Sequence, residues 1–127
     1  MATLNPKSKG AFGETKVREY LISKGYTIVA CNYTSRYGEI DIIAKDSEYI
    51  VFTEVKTKAA GTMYTPAMAV TKSKQVKISK TATIFMQDYS EALQPRFDVA
   101  EVIIKGEYPY SLVEINYFDN AFDYSIG

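Results

Sequence analysis

From Gly38 to Lys58 the chain reads GEIDIIAKDSEYIVFTEVKTK, in which Ile40, Ile42, Ile43, Ile50, Val51, Phe52 and Val55 form two apolar runs broken by Lys45-Asp46-Ser47-Glu48. Strand-forming residues on either side of a polar break predict two strands joined by a short turn. Side chains alternate across a strand, so Glu39, Asp41 and Ile43 share one face of the first, and Ile50, Phe52, Glu54 and Lys56 one face of the second. If those faces coincide, Asp41, Glu54 and Lys56 meet. Upstream, beyond an irregular arm at Asn5 to Ser8, a helix is expected from Lys9 or Gly10 to Lys24 with Gly25 as its stop, and Gly10, Glu14, Val17 and Leu21 fall on one stripe. Tyr26 to Tyr33 read as a first strand and Thr34 to Tyr37 as a turn. Downstream come a loop at Ala59 to Thr65, with Thr65 a cap and Pro66 the first helical position, and a helix to about Tyr89 carrying Gln75, Ile78, Ala82, Phe85 and Tyr89 on one stripe. Arg96 to Ile104 and Ser111 to Phe118 are two further strands, followed by an aromatic, acidic tail from Asn120 to Gly127. The predicted order is α-β-β-β-α-β-β.

A length of 127 residues predicts one domain spanning 1–127, and a composition 46% hydrophobic with four Pro and seven Gly is that of an ordinary folded protein. No apolar run reaches membrane-spanning length and the first residues lack a signal-peptide core, so the expected location is cytoplasmic. Cys31 is alone, which allows no internal disulfide and leaves it a buried small apolar role, with a reactive thiol as the alternative. Histidine is absent, which removes Ser-His-Asp and Cys-His catalysis and every His-containing zinc site. Acid-base or metal chemistry must therefore use Asp, Glu, Lys or Tyr. Net charge is zero, yet residues 1–87 hold 13 Lys/Arg against 7 Asp/Glu while residues 88–127 hold 2 against 8. Between Glu54 and Asp88 there is no acid, whereas Lys56, Lys58, Lys72, Lys74, Lys77 and Lys80 occur, as either a solvated helix face or a phosphate-tracking surface.

These charges bear on the paired strands. Desolvating a carboxylate among Ile50, Val51, Phe52 and Val55 is costly, and two carboxylates brought together repel until one takes a proton or a cation sits between them. Oxygen ligands point to a hard divalent ion, with the Lys56 ammonium beside it to hold a water or neutralise developing charge. Glu14 interrupts the packing stripe of the first helix, as an edge residue reaching water or as a third carboxylate of the same site. Glu39 is an outer ligand candidate at most. Arg36 either grips a phosphate or pairs with Glu39, and Gln75 is either a buried amide satisfied by backbone or part of the same polar surface.

An acid on the first helix, an Asp on the second strand and Glu-x-Lys on the third, in this element order, resemble the core of the restriction-endonuclease-like nucleases, the PD-(D/E)xK superfamily. Within it the chain is similar to the YraN-type family, near the archaeal Holliday junction resolvases. The matching features are Gly13-Glu14, Gly38-Glu39-Ile40-Asp41-Ile42-Ile43-Ala44, Phe52-Thr53-Glu54-Val55-Lys56-Thr57-Lys58, Lys74-Gln75, Arg96-Phe97-Asp98-Val99 and Asn120-Ala121-Phe122. Ile40 stands where the superfamily's name has Pro, a change the superfamily tolerates widely. The resemblance implies an α/β fold with a mixed central β-sheet flanked by α-helices. It further implies Asp41, Glu54 and the Val55 carbonyl as ligands of Mg2+ or Mn2+, Glu14 completing the acidic cluster, and Lys56 orienting the attacking water. Arg36, Lys58, Lys72, Lys74, Gln75, Lys77 and Lys80 are the candidate nucleic-acid contacts.

The function expected on this basis is metal-dependent endonuclease activity, hydrolysing phosphodiester bonds of nucleic acid and structure-selective on DNA. The rival is a non-catalytic nucleic-acid-binding or adaptor module that keeps the nuclease fold, and the plainest alternative makes Glu54 and Lys56 a surface ion pair. Junction cutters need two active sites, which suggests a homodimer by analogy, with the aromatic tail from Tyr117 to Tyr124 either its surface or a cap on the sheet.

Overall fold

The computed structural model describes residues 5–61 and 70–125. Its elements are α1 (Lys9–Ser23), β1 (Thr27–Ser35), β2 (Gly38–Lys45), β3 (Tyr49–Ala59), α2 (Lys72–Gln87), β4 (Gln94–Lys105) and β5 (Ser111–Phe122). The α/β order expected from the sequence is the order observed.

Local chemistry sets the helix ends. The Ser8 hydroxyl accepts from the Ala11 N–H at the start of α1, filling one of the donors a helix leaves unpaired. At its end Gly25 takes φ 94°, and Gly25 and Tyr26 donate back to the Ile22 and Leu21 carbonyls. That double closure needs a residue comfortable in the left-handed region. α2 begins at Lys72 with Thr71 as its cap, not at Pro66; Thr65 and Pro66 lie outside the described residues. Thr71 offers the same hydroxyl cap as Thr65, here to the Lys74 N–H.

Five strands form one sheet in the order β1-β2-β3-β4-β5. β3 and β4 are parallel, as their connection through α2 requires, and the other pairs are antiparallel. α1 covers one face, where Val17 and Leu21 pack with Ile42, Ala44, Ala100, Val102 and Ile104. α2 covers the other, where Ile78 and Ala82 pack with Ile40, Ile43, Ile50, Phe52, Phe97 and Val99. Each such large side chain withdrawn from water contributes about 1.5–3 kcal/mol. Gly13, not Gly10, lies on the buried side of α1. It allows α1 to approach β3 so closely that a Cβ at residue 13 would stand 1.9 Å from Thr57 Oγ1.

Several boundaries differ from expectation. β1 continues to Ser35, whose hydroxyl is within 2.8 Å of Thr81 Oγ1, so the first hairpin turn shrinks to Arg36-Tyr37. β3 runs through Ala59 because its parallel ladder with β4 persists to Ala59↔Ile104. β5 runs past Phe118 to Phe122, whose ring stacks on Phe97 at 5.2 Å. Asp98, fully buried, holds this return in place: Arg96, the Tyr117 hydroxyl and the Asn120 N–H all donate to it. The C-terminal segment thus caps its own sheet, and the Ser125 N–H donates to Ser79 Oγ on α2. Cys31 is a half-buried free thiol in β1. No helix among the described residues is long and apolar enough to cross a membrane.

Candidate active site at the fork between β2 and β3

Strand β2 stays paired with β1 to its first residue, Gly38↔Ser35, but its ladder with β3 ends at Ile42↔Thr53. Past that pair β3 keeps only its ladder with β4, so β2 and β3 part like a fork. Asp41 and Glu54 are the next residues on the two prongs. The Val55 N–H donates to Asp41 Oδ2 at 2.7 Å. Because N–H and C=O of one strand residue point to the same edge, the Val55 carbonyl also faces β2.

Strict alternation does not survive this point. Ile40 and Ile43 pack in the cluster under α2 while Ile42 and Ala44 pack under α1, so Glu39, Asp41 and Ile43 do not form the simple face expected from their spacing. The physical reason lies across the hairpin. Asn32, between the pairs Cys31↔Ile42 and Tyr33↔Ile40, takes φ 50°, a left-handed turn within a strand that Asn tolerates better than most side chains.

The carboxylates at the fork act on one another. Burial pushes the Asp41 pKa up to about 8, and the neighbouring charges of Glu54 and Glu14 push in the same direction, against the Val55 N–H. Burial also raises Glu14, opposed by the Asn32 amide that donates to its Oε1 at 2.9 Å and reinforced by Glu39 and Glu54. Glu54, 11% exposed, pairs through Oε2 with Lys74 Nζ at 3.1 Å. Burial disfavours the Lys74 ammonium, but Glu54, Asp41 and Glu39 together outweigh that and raise its pKa. Glu14, Asp41, Glu54 and Lys74 therefore form one electrostatic unit drawn from α1, β2, β3 and α2. Among the described residues no group of three or more Asp, Glu or Cys side chains closes into an ion cage by itself. The donors at the fork are two carboxylates and a carbonyl.

Lys56 lies one alternation beyond Glu54 on β3, in register with Glu101 of β4. Glu101 is an acid that sequence reasoning did not single out. Burial opposes its ionisation, but the Asn116 amide, Lys58 and Lys56 overcome this and hold its pKa low. Lys58 Nζ stands 3.0 Å from Glu101 Oε2, which ties this candidate nucleic-acid contact to the sheet. Gln75 donates to the Val70 carbonyl at 2.9 Å, the backbone-satisfied amide that was one of its two readings. Arg36 turns onto the Tyr37 ring instead of forming an ion pair with Glu39. Lys72 and Lys77 are exposed on α2, and the Lys77 Cβ lies beside Gly38, so the lysine stripe flanks the first hairpin. Asn32 was also missed, although a lone Asn inside an otherwise strand-forming run is a readable signal.

The family model described as "Uncharacterised protein family UPF0102" matches residues 13–102, a span containing Gly13-Glu14, the fork and all of α2. A UPF0102 protein of Caldanaerobacter subterraneus subsp. tengcongensis is 39% identical over 123 residues, covering 96% of this chain and 100% of its own. One from Alkaliphilus oremlandii is 42% identical over 120 residues, covering 91% and 98%, and one from Geobacter metallireducens is 38% identical over 122 residues, covering 95% and 97%. By family model and by relatives of matching length, the chain belongs to the UPF0102 family, the YraN-type family.

Proposed function

We propose that the fork is the active site of a metal-dependent endonuclease of the restriction-endonuclease-like type, acting on DNA phosphodiester bonds. The observation that carries this reading is the meeting of Asp41 and Glu54 at the fork, where burial first and the neighbouring Glu54 charge second raise the Asp41 pKa to about 8. A group that only supports a fold has little reason to gather repelling acids at the one place where two strands separate. The donor set suits Mg2+ or Mn2+: oxygen atoms alone, from Asp41, Glu54 and the Val55 carbonyl. Mg2+ commonly uses one or two carboxylates plus substrate phosphate and water, not a complete protein cage. When bound, the ion would supply charge neutralisation and a more acidic water.

The chain's own groups do the rest. Glu14, held by the Asn32 amide, adds a third carboxyl group beside the place the ion would take. Lys56 would position the water and stabilise developing charge, where a fixed ammonium away from bulk water is worth more than in solvent. Lys74, kept cationic by three carboxylates, would meet a phosphate oxygen at the mouth of the fork, with Lys72 and Lys77 extending the basic surface along α2. Phosphate contacts of this kind carry no base sequence, so affinity should fall with salt and vary little with sequence. The second reading, a non-catalytic nucleic-acid-binding module, is favoured by the Lys74–Glu54 pair, which satisfies one Glu54 oxygen without any metal ion.

Incubating the protein with single-stranded, nicked, flapped and four-way-junction DNA in Mg2+ and in Mn2+ separates the two. Cleavage of at least one substrate, absent in Asp41→Ala prepared identically, is expected. Binding without cleavage in either metal would establish the adaptor reading instead.

A further inference from the structure

Away from the fork, two cations share one aromatic ring. The Arg36 guanidinium stands 5.0 Å from the Tyr37 ring centroid, and its Nη2 donates to Tyr37 Oη at 3.1 Å. Lys80, from α2, places its ammonium 5.0 Å from the same centroid. Among the described residues no ion pair is made by Arg36 or Lys80. The hydrogen bond and charge of Arg36 lower the Tyr37 pKa, as a positive potential at the ring demands. Arg36, Tyr37, Lys80, Thr83, Gln87 and Tyr124, with the aliphatic Ile84 among them, line a cavity of about 220 Å³. Gathering two like charges is unfavourable, and the ring's negative face offsets only part of that. An anion between them would offset the rest. The Arg36 guanidinium and the Lys80 ammonium are the donors that suit a phosphate's oxygens, since the Thr83 hydroxyl donates to the Ser79 carbonyl and the Tyr124 hydroxyl lies 3.1 Å from Thr83 Oγ1.

We propose that this cleft is a phosphate-binding site that grips the backbone of the nucleic-acid strand beyond the phosphate cut at the fork. Its place on the strand rests on the nuclease reading above. Lys80 follows Lys74 by six positions on α2, about 9 Å along the axis and about 120° around it. That separation exceeds the rise of about 3.4 Å per nucleotide, so the two lysines meet different phosphates of one strand. The cleft therefore holds longer strands and leaves a dinucleotide untouched.

The test is fluorescence anisotropy in EDTA with a labelled dinucleotide and a labelled single-stranded 12-mer, titrated at several salt concentrations. Arg36→Gln/Lys80→Gln is expected to weaken 12-mer binding roughly tenfold and to flatten its salt slope by about 0.7–1.4, since each lost phosphate contact removes about 0.7 for a single strand. Dinucleotide binding should not change, the charge-conserving Arg36→Lys/Lys80→Arg should keep most 12-mer affinity, and Lys105→Gln should behave as wild type. An unchanged 12-mer affinity and slope in the double Gln variant, or an equal loss for the dinucleotide, overturns the proposal. Cleavage is scored separately. Arg36- and Lys80-dependent binding by a protein that cuts nothing in Mg2+ or Mn2+ retains the cleft and removes the nuclease reading. Cutting with unchanged binding in the double variant does the reverse.

Discussion

Asp41→Asn, stripped of metal by a chelator, should melt about 5–10 °C above wild type at pH 8 and close to it at pH 4. In the folded chain the Asp41 pKa stands at about 8 against an ordinary value of 3.8. Below the ordinary value both folded and unfolded chains hold the proton, and the group is neutral in its effect on stability. Between the two values the unfolded chain releases the proton and the folded chain keeps it, so stability is lost as pH rises and the loss is complete above about 8. Discounted for the coupling to Glu54, the cost is on the order of a few kcal/mol. Asn removes it while its carbonyl oxygen still accepts from Val55 and its amide donates to Glu54. For a domain of this size each kcal/mol moves the melting point by roughly 3–5 °C. Melting curves from pH 4 to 9 in EDTA check this. Parallel curves for the two proteins would mean that no proton is held at the fork.

Lys56→Ala should lower cleavage in Mg2+ by about 10²–10³-fold, the usual loss for one group that stabilises charge only in the transition state. It should leave metal binding nearly intact, because the ligands proposed for the ion are Asp41, Glu54 and the Val55 carbonyl. Lys56 shares the β3 face of Glu54 and stands in register with Glu101. Removing its charge is therefore also expected to let the Glu101 pKa rise toward its ordinary value, since Lys56 is one of the groups that hold it down. Single-turnover rates compared with metal-induced melting shifts would separate chemistry from binding. An unaltered rate would exclude the assigned role, and loss of the melting shift would make Lys56 part of the metal environment instead.

Much of the fold was legible because its signals are local. The two apolar runs from Gly38 to Lys58 do form a hairpin, and Gly25 does end α1, since turn chemistry and strand propensity need no distant partner. Where two local signals compete, sequence alone cannot choose: Thr65-Pro66 and Thr71 both carry a helix-start pattern, and the described helix uses Thr71. The extension of β5 to Phe122 depends on Phe97 and Asp98, some twenty-five residues earlier, so no window of the sequence contains it. At the site, the adjacency of Asp41 and Glu54 followed from their spacing even though the assumed alternation fails at Asp41. Asn32 holding Glu14, Lys74 reaching Glu54 and Glu101 meeting Lys58 are all tertiary contacts, between residues 18, 20 and 43 positions apart. Spacing rules along one element do not reach that far.

Thermal melting at pH 8 with and without millimolar Mn2+ asks most directly whether Asp41 and Glu54 hold a cation. Ligand at a hundredfold excess over its dissociation constant stabilises by about 2.7 kcal/mol, so wild type should melt several degrees higher in Mn2+ while Asp41→Ala and Glu54→Ala show no shift. A wild-type melting point indifferent to Mn2+, or a shift that survives both substitutions, would contradict a metal centre at the fork.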